Sequence, residues 1–145
     1  SRIKKNNFIN DIKAIKGNSS KLIELFAKNK IDKKIDYTVT SPPYWNQLER
    51  NSLRQKKRND EGLDTKYSMA KDDIGNINDY EKFIEAQGNI FDQVYDLTKD
   101  KGYLTIITNN IFYNGRIFPL AYDTAISLTK RGEKSWILKD EKIWL

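Results

Sequence analysis

The chain has 145 residues, a mass of 17.0 kDa and a formal net charge of +6, so it has the size of one domain with a basic bias. It contains no cysteine and no histidine, which excludes disulfide frameworks, thiolate or histidine-ligated metal sites, cysteine nucleophiles and histidine general bases. No uninterrupted apolar stretch is long enough to span a bilayer, and the sequence therefore predicts no membrane span.

The positive charge is concentrated in two places. Residues 1–34 carry ten Lys and Arg against three acids. A second group, called the basic run below, contains no acid and consists of Arg50, Arg54, Lys56, Lys57 and Arg58. This asymmetry favours a polyanionic partner. The alternative is coding in an AT-rich genome, which enriches Lys, Asn and Ile whatever the function.

The predicted strands and helices alternate along the chain. Periodicity and turn signals predict strands over 11–16, 35–40, 102–108 and 135–145, and helices over 21–28, 79–98 and about 119–131. Ser20 is the expected N-cap of the first helix, and Asn78 with Glu81 resembles a capping box at the second. Residues 46–76 show little periodicity and are predicted to form a long, mobile, basic surface segment.

Two glycine positions and one proline shape the second half. Asn114-Gly115 predicts a turn within a loop over 109–116. Pro119 suits the first position of the last helix, and Gly132 suits the residue just past its end. The alternation of elements predicts an α/β fold with mainly parallel strands joined by crossover helices. In such sheets, ligands bind beyond the carboxyl ends of the strands.

The most informative stretch, Thr40-Ser41-Pro42-Pro43-Tyr44, directly follows the predicted buried strand. Two successive prolines give a stiff, extended backbone without donors, which leaves nearby carbonyl groups free to accept hydrogen bonds. A small hydroxyl precedes the prolines and a flat aromatic ring follows them. This arrangement suits a planar ligand with an exocyclic amine, although a Pro-Pro turn with local aromatic packing has the same pattern.

This stretch resembles the catalytic motif of the amino-group DNA methyltransferases, which modify cytosine N4 or adenine N6. Further landmarks resemble the family in the right order. Ile15-Lys16-Gly17-Asn18-Ser19-Ser20 is similar to the family's strand that ends in Gly-Asp-Ser. The segment from Asn114-Gly115-Arg116 to Pro119-Leu120 resembles the opening of the family's next helix, and Lys142-Ile143-Trp144 resembles the family's apolar Ile-Ile-Trp strand.

The resemblance implies a Rossmann-like methyltransferase sheet, S-adenosylmethionine as methyl donor and a base flipped out of the DNA duplex. It implies Ser41 Oγ and the Pro42 carbonyl as acceptors for the amine, Tyr44 as the stacking ring and Pro43 as the residue that holds the shape. Serine at the first motif position favours cytosine N4 over adenine N6. We further expect a cytoplasmic enzyme of a restriction-modification system from a prokaryote or phage.

The resemblance also suggests binding residues. Gly17, Asn18 and Thr40 are the expected cofactor contacts, with Asn18 standing where the family carries an acid. The basic run is expected to contact DNA phosphates. Trp45 is expected to wedge or stack on DNA in the same region, or alternatively to cover the end of the sheet.

The family's glycine-rich cofactor loop, Phe-x-Gly-x-Gly, does not occur in these residues. We therefore expect residues 1–145 to be a partial catalytic domain, with the cofactor-binding half missing and no turnover by this part alone. Two alternatives stay open. One is an RNA or protein-glutamine N-methyltransferase, whose similar motif has Asn in place of Ser41. The other is a non-catalytic DNA-binding remnant.

Overall fold

The computed structural model describes residues 12–45, 60–62, 70 and 72–143. It contains three α-helices, α1 (Leu22–Lys28), α2 (Tyr80–Leu97) and α3 (Leu120–Thr129), in these ranges. The strands are β1 (Ile35–Thr40), β2 (Thr98–Ile106), β3 (Ile111–Tyr113) and β4 (Arg116–Phe118). Short 3-10 turns occur at Ser19–Lys21, Ile74–Asn76 and Gly132–Lys134. Among the described helices, none combines the length and apolar character needed to cross a bilayer.

The parallel pair of β1 and β2 is the centre of the fold. Tyr37 lies opposite Tyr103 and Thr40 opposite Ile106, with an irregular register at the start of β1. Helix α2 precedes β2 directly, so the two strands are joined by a connection that contains a helix. This strand–helix–strand unit is an α/β arrangement, as the alternating pattern predicts.

The middle of the chain follows the sequence prediction closely. Strand β1 has the predicted bounds, and α2 differs from its prediction by one residue at each end. The cap of α2 is Asp79 rather than Asn78, because the Asp79 carboxylate accepts a hydrogen bond from the Lys82 amide at 2.8 Å. Asn18, not Ser20, caps the 3-10 turn that leads into α1.

Three predictions about the outer elements are wrong. Residues 12–18 and 135–143 form no strand, because neither segment has a paired neighbour in the described part of the chain. Ile137 in the second segment is 91% exposed. The predicted loop over 109–116 contains most of an antiparallel hairpin, β3–β4. Its turn is the predicted Asn114-Gly115, where both residues have positive φ (48° and 77°), as a tight hairpin turn requires.

Two apolar clusters form the core, and α2 contributes to both. The first cluster comprises Trp45, Phe83, Ile111, Phe118 and Leu120. The second comprises Phe91, Val94 and Leu128, against which Leu104 and Ile106 of β2 pack. The amino-terminal half of α2 therefore supports the hairpin, while its carboxyl-terminal half supports the sheet.

An arginine clamp joins α2 to the end of α3. Arg131 donates to both carboxylate oxygens of Asp92 at 2.6 and 2.7 Å, and to the Asn89 side-chain oxygen at 2.7 Å. It also reaches Glu85 at 3.3 Å. The hydrogen bonds to Asp92 raise the pKa of Arg131 above its ordinary value, although desolvation opposes the rise. Gly88 lies beneath this guanidinium, where a Cβ would come within 2.4 Å of Nη1.

Candidate active site

The Ser-Pro-Pro-Tyr segment begins where the pairing of β1 ends. Thr40 is the last residue of β1, and its carbonyl accepts a hydrogen bond from the Ile107 amide at 2.9 Å. Residues 41–44 then leave the sheet without regular structure. The segment thus starts at the carboxyl end of a parallel strand, the place where open α/β sheets bind ligands.

The two hydroxyl groups of the segment contact each other. Ser41 Oγ lies 2.8 Å from the Tyr44 hydroxyl, and either group can be the donor. Ser41 is exposed, whereas Pro42, Pro43 and Tyr44 are partly buried. A serine oxygen has two lone pairs, so it can accept a hydrogen bond from the Tyr44 hydroxyl and still accept a second hydrogen bond from a ligand. The pair can therefore present a fixed acceptor to an amine.

Trp45, the residue after the segment, is buried inside the protein. Its side chain is 3% exposed, and its indole N–H donates to the Asn78 carbonyl at 3.1 Å. The ring packs against Phe118, Tyr80 and Tyr113 with centroid distances of 4.7, 5.1 and 5.5 Å. The indole of Trp45 therefore lies in the interior, between the start of α2 and the hairpin.

The surroundings of Trp45 include residues that the sequence patterns did not single out. The Tyr80 hydroxyl donates to Asp123 at 2.7 Å, which ties the start of α2 to the first turn of α3. Burial raises the pKa of Tyr80 above its ordinary value, and the bond to Asp123 raises it further. One signal could have revealed the hairpin that contacts Trp45: Asn-Gly between two short runs rich in apolar residues is a strong hairpin pattern.

The Gly17-Asn18 turn is built as a helix cap. The Asn18 side-chain oxygen accepts hydrogen bonds from the Ser20 amide and hydroxyl, both at 2.9 Å. Its amide group donates to Asp72 at 2.5 Å. The Asp72 carboxylate therefore contacts Asn18, the uncharged residue at the position where an acid was expected. The sequence patterns gave no sign of this contact.

A partly open cavity of about 160 Å³ borders this turn. It is lined by Ile15, Gly17, Ser19, Leu22, Leu25 and Phe26. A Cβ at Gly17 would collide with Leu25 at 2.5 Å, so glycine keeps this wall of the cavity compact. The lining is mostly apolar, with Ser19 as its polar side chain.

The basic run, Arg50, Arg54, Lys56, Lys57 and Arg58, lies outside the described residues. The described end of the segment predicted over 46–76 contains the 3-10 turn Ile74–Asn76, in which Gly75 is buried.

Comparison with known protein families gives a match over most of the chain. A family model described as DNA methylase matches residues 35–145. The matched span contains β1, the Ser-Pro-Pro-Tyr segment, α2, the hairpin and α3, and it begins after the Gly17-Asn18 turn. Neither the curated proteins nor the solved structures give a match.

Proposed function

The chain belongs to the amino-group DNA methyltransferase family, and from this membership we propose that it transfers a methyl group to the exocyclic amine of a DNA base. The observation that carries the proposal is the position and geometry of Ser41–Tyr44. The segment lies at the carboxyl end of β1, and its two hydroxyl groups are 2.8 Å apart. Cytosine N4 is the favoured target over adenine N6, on the basis of serine at the first motif position.

Ser41 and Pro42 act on the amine through hydrogen bonds. An exocyclic amine conjugated with its ring is a poor nucleophile, because its lone pair is delocalised. Bonds from its two N–H groups to Ser41 Oγ and the Pro42 carbonyl fix its orientation and stabilise the positive charge that develops on nitrogen. The ring of Tyr44 stacks on the flipped base, and Pro43 keeps the backbone stiff between acceptor and ring.

The methyl donor in this proposal is S-adenosylmethionine, which would supply a methyl group on a positively charged sulfur. The new nitrogen–carbon bond would form as the sulfur–carbon bond breaks, the sulfur would leave as a neutral thioether, and the amine would lose one proton to solvent. Gly17 and Asn18 would hold one end of it at the cavity beside α1, and Thr40 would contact it from the end of β1. The apolar lining of that cavity supports this assignment. The β1–α2–β2 unit belongs, in the same proposal, to a Rossmann-like sheet.

DNA is the proposed substrate, and the enzyme would act in the cytoplasm of a prokaryote or phage as part of a restriction-modification system. The target amine is inaccessible within a stacked duplex, so the base must be extruded before it can meet Ser41. The basic run is proposed to contact phosphates, which would position the duplex without reading its sequence.

The test is transfer of labelled methyl groups from S-adenosylmethionine to unmethylated DNA by the natural protein that carries this sequence. Ser41→Ala is expected to lower kcat by about 100-fold or more, because the substitution removes one preorganised group at the reacting atom. Tyr44→Ala is also expected to lower the rate, because it removes the ring proposed to stack on the base, and Tyr122→Ala, at an exposed tyrosine on α3, is its matched control. Chromatography of the digested DNA identifies the methylated base.

Two results would contradict the proposal. Full activity of Ser41→Ala would show that its hydroxyl is not the acceptor. Label found in RNA or in protein, with none in DNA, would favour the alternative substrate classes.

A further inference from the structure

Trp45, the residue that follows the motif, has a backbone conformation that is unusual for a bulky side chain. Trp45 has φ of +48°, in the left-handed region that bulky residues avoid. Such a conformation persists only where its surroundings compensate for the strain. Here the compensation is visible, because the indole is 3% exposed and surrounded by aromatic rings.

Trp45 is held by two separate parts of the chain. Its N–H donates to the Asn78 carbonyl, just before α2, at 3.1 Å. Its ring contacts Phe118 of β4 at a centroid distance of 4.7 Å and Tyr113 of β3 at 5.5 Å. The side chain therefore attaches the end of the Ser-Pro-Pro-Tyr segment to both α2 and the hairpin.

The opposite end of the same segment is fixed by the sheet. The Thr40 carbonyl accepts from the Ile107 amide, so the backbone position just before Ser41 is determined by β2. Between these two attachments lie only four residues, two of them prolines with restricted φ. The direction of the Ser41 and Tyr44 side chains then depends on where Trp45 is anchored and on its left-handed turn.

We infer that Trp45 is a positioning residue for methyl transfer: its buried indole keeps the left-handed turn and thereby holds Ser41 and Tyr44 in the geometry that accepts the amine. This role rests on the proposed function, and it assigns the indole to the protein interior rather than to DNA. When the ring is removed, the backbone at position 45 relaxes toward negative φ, and Tyr44 moves with it.

The test separates positioning from stability by a matched variant. Trp45→Ala is expected to lower kcat about 100-fold while KM for DNA changes less than about twofold, because a displacement of about an ångström costs that much in rate. Leu128→Ala, in the second cluster, removes a side chain that is 5% exposed and is expected to leave kcat unchanged. Trp45→Phe keeps a ring and should recover most of the rate.

A second measurement does not depend on activity. Backbone relaxation of the Ser41 and Tyr44 amides is expected to show rigid order parameters of about 0.85 in the wild-type chain and values below about 0.6 in Trp45→Ala. Leu128→Ala should keep the rigid values. Should Trp45→Ala fail to fold, Phe118→Leu withdraws the nearest ring from Trp45 without altering the motif, and it should loosen the same two amides.

The outcomes distinguish the two proposals. Rigid amides at Ser41 and Tyr44 in both Trp45→Ala and Phe118→Leu would overturn the positioning role, whatever the activity. Equal losses of kcat in Trp45→Ala and Leu128→Ala would overturn it as well. Absence of methyl transfer by the wild-type protein, with loosened amides in Trp45→Ala, would refute the proposed function and leave the anchoring of the segment standing.

Discussion

Gly88, in the middle of α2, provides a sharp test of the packing between α2 and α3. Glycine is a poor residue for a helix interior, and replacing it with alanine ordinarily stabilises a helix by about 0.5–1 kcal/mol. The structure predicts the opposite sign here. A Cβ at position 88 would lie 2.4 Å from Nη1 and 2.9 Å from Cζ of Arg131, so the guanidinium would have to move.

The cost of that movement follows from the bonds that hold the guanidinium. Arg131 and Asp92 are 13% and 23% exposed and are joined by two hydrogen bonds. Weakening this charged pair costs about 2–3 kcal/mol, as hydrogen bonds to charged groups do. The bond to Glu85 adds little to this cost, because that side chain is 65% exposed and solvent screens the pair. After the gain in helix propensity, Gly88→Ala should destabilise the protein by about 1–2.5 kcal/mol.

Urea denaturation followed by circular dichroism measures this change, provided that the slope of the transition stays constant. The control is the same substitution in an Arg131→Ala background. There the obstacle is gone, and Gly88→Ala should stabilise the protein by about 0.5–1 kcal/mol. If Gly88→Ala stabilises the wild-type background as well, the guanidinium moves aside freely and the clamp does not hold the two helices.

Two further predictions concern the hairpin and the charge. Phe118→Ala, at a residue that is 7% exposed, should lower the free energy of unfolding by about 3 kcal/mol or more, while neighbouring Ile117→Ala, at 66% exposure, should change it by less than about 0.5 kcal/mol. Equal effects in urea denaturation would contradict the assignment of inner and outer hairpin faces. Neutralising the basic run should reduce the slope of log K for DNA binding against log salt by about 0.9 for each phosphate that the protein no longer neutralises. An unchanged slope would rule out phosphate binding by these residues, and Lys130→Gln on the exposed end of α3 is a single-charge control.

The sequence was most informative where a local pattern and a tertiary partner coincide. The apolar periodicity of residues 79–98 predicts α2 almost to the residue, because the same face that carries Phe83 and Phe91 meets the core. Strand β1 is equally well predicted, since its β-branched residues end at Thr40 and two prolines follow after Ser41. The motif at its carboxyl end could be located by the same reasoning.

The outer segments show why the pattern alone is insufficient. Residues 12–16 and 135–143 contain strand-forming residues, but a strand also needs hydrogen-bonded neighbours, and no pattern within a segment specifies them. A tertiary contact can also explain a residue that local propensity disfavours. Gly88 is a poor residue for the interior of α2, but the Arg131 guanidinium leaves no room for a Cβ there. Asp72 contacts Asn18 from 54 positions away, which no local pattern could anticipate.

The placement of Trp45 at the candidate site depends both on the local sequence and on a distant part of the chain. From its place after Pro42-Pro43-Tyr44, Trp45 could be an exposed ring that contacts DNA or a ring buried in the core, because tryptophan occurs in both settings. In the structure Trp45 packs in one cluster with Ile111 and Phe118 of the hairpin, and this contact requires that Asn114-Gly115 turns the chain back. A turn some seventy residues away from the motif therefore determines where Trp45, the residue after the motif, points. If Ser41 and Tyr44 hold the amine as proposed, their geometry must be fixed beforehand, and the hairpin would then support the segment together with the sheet.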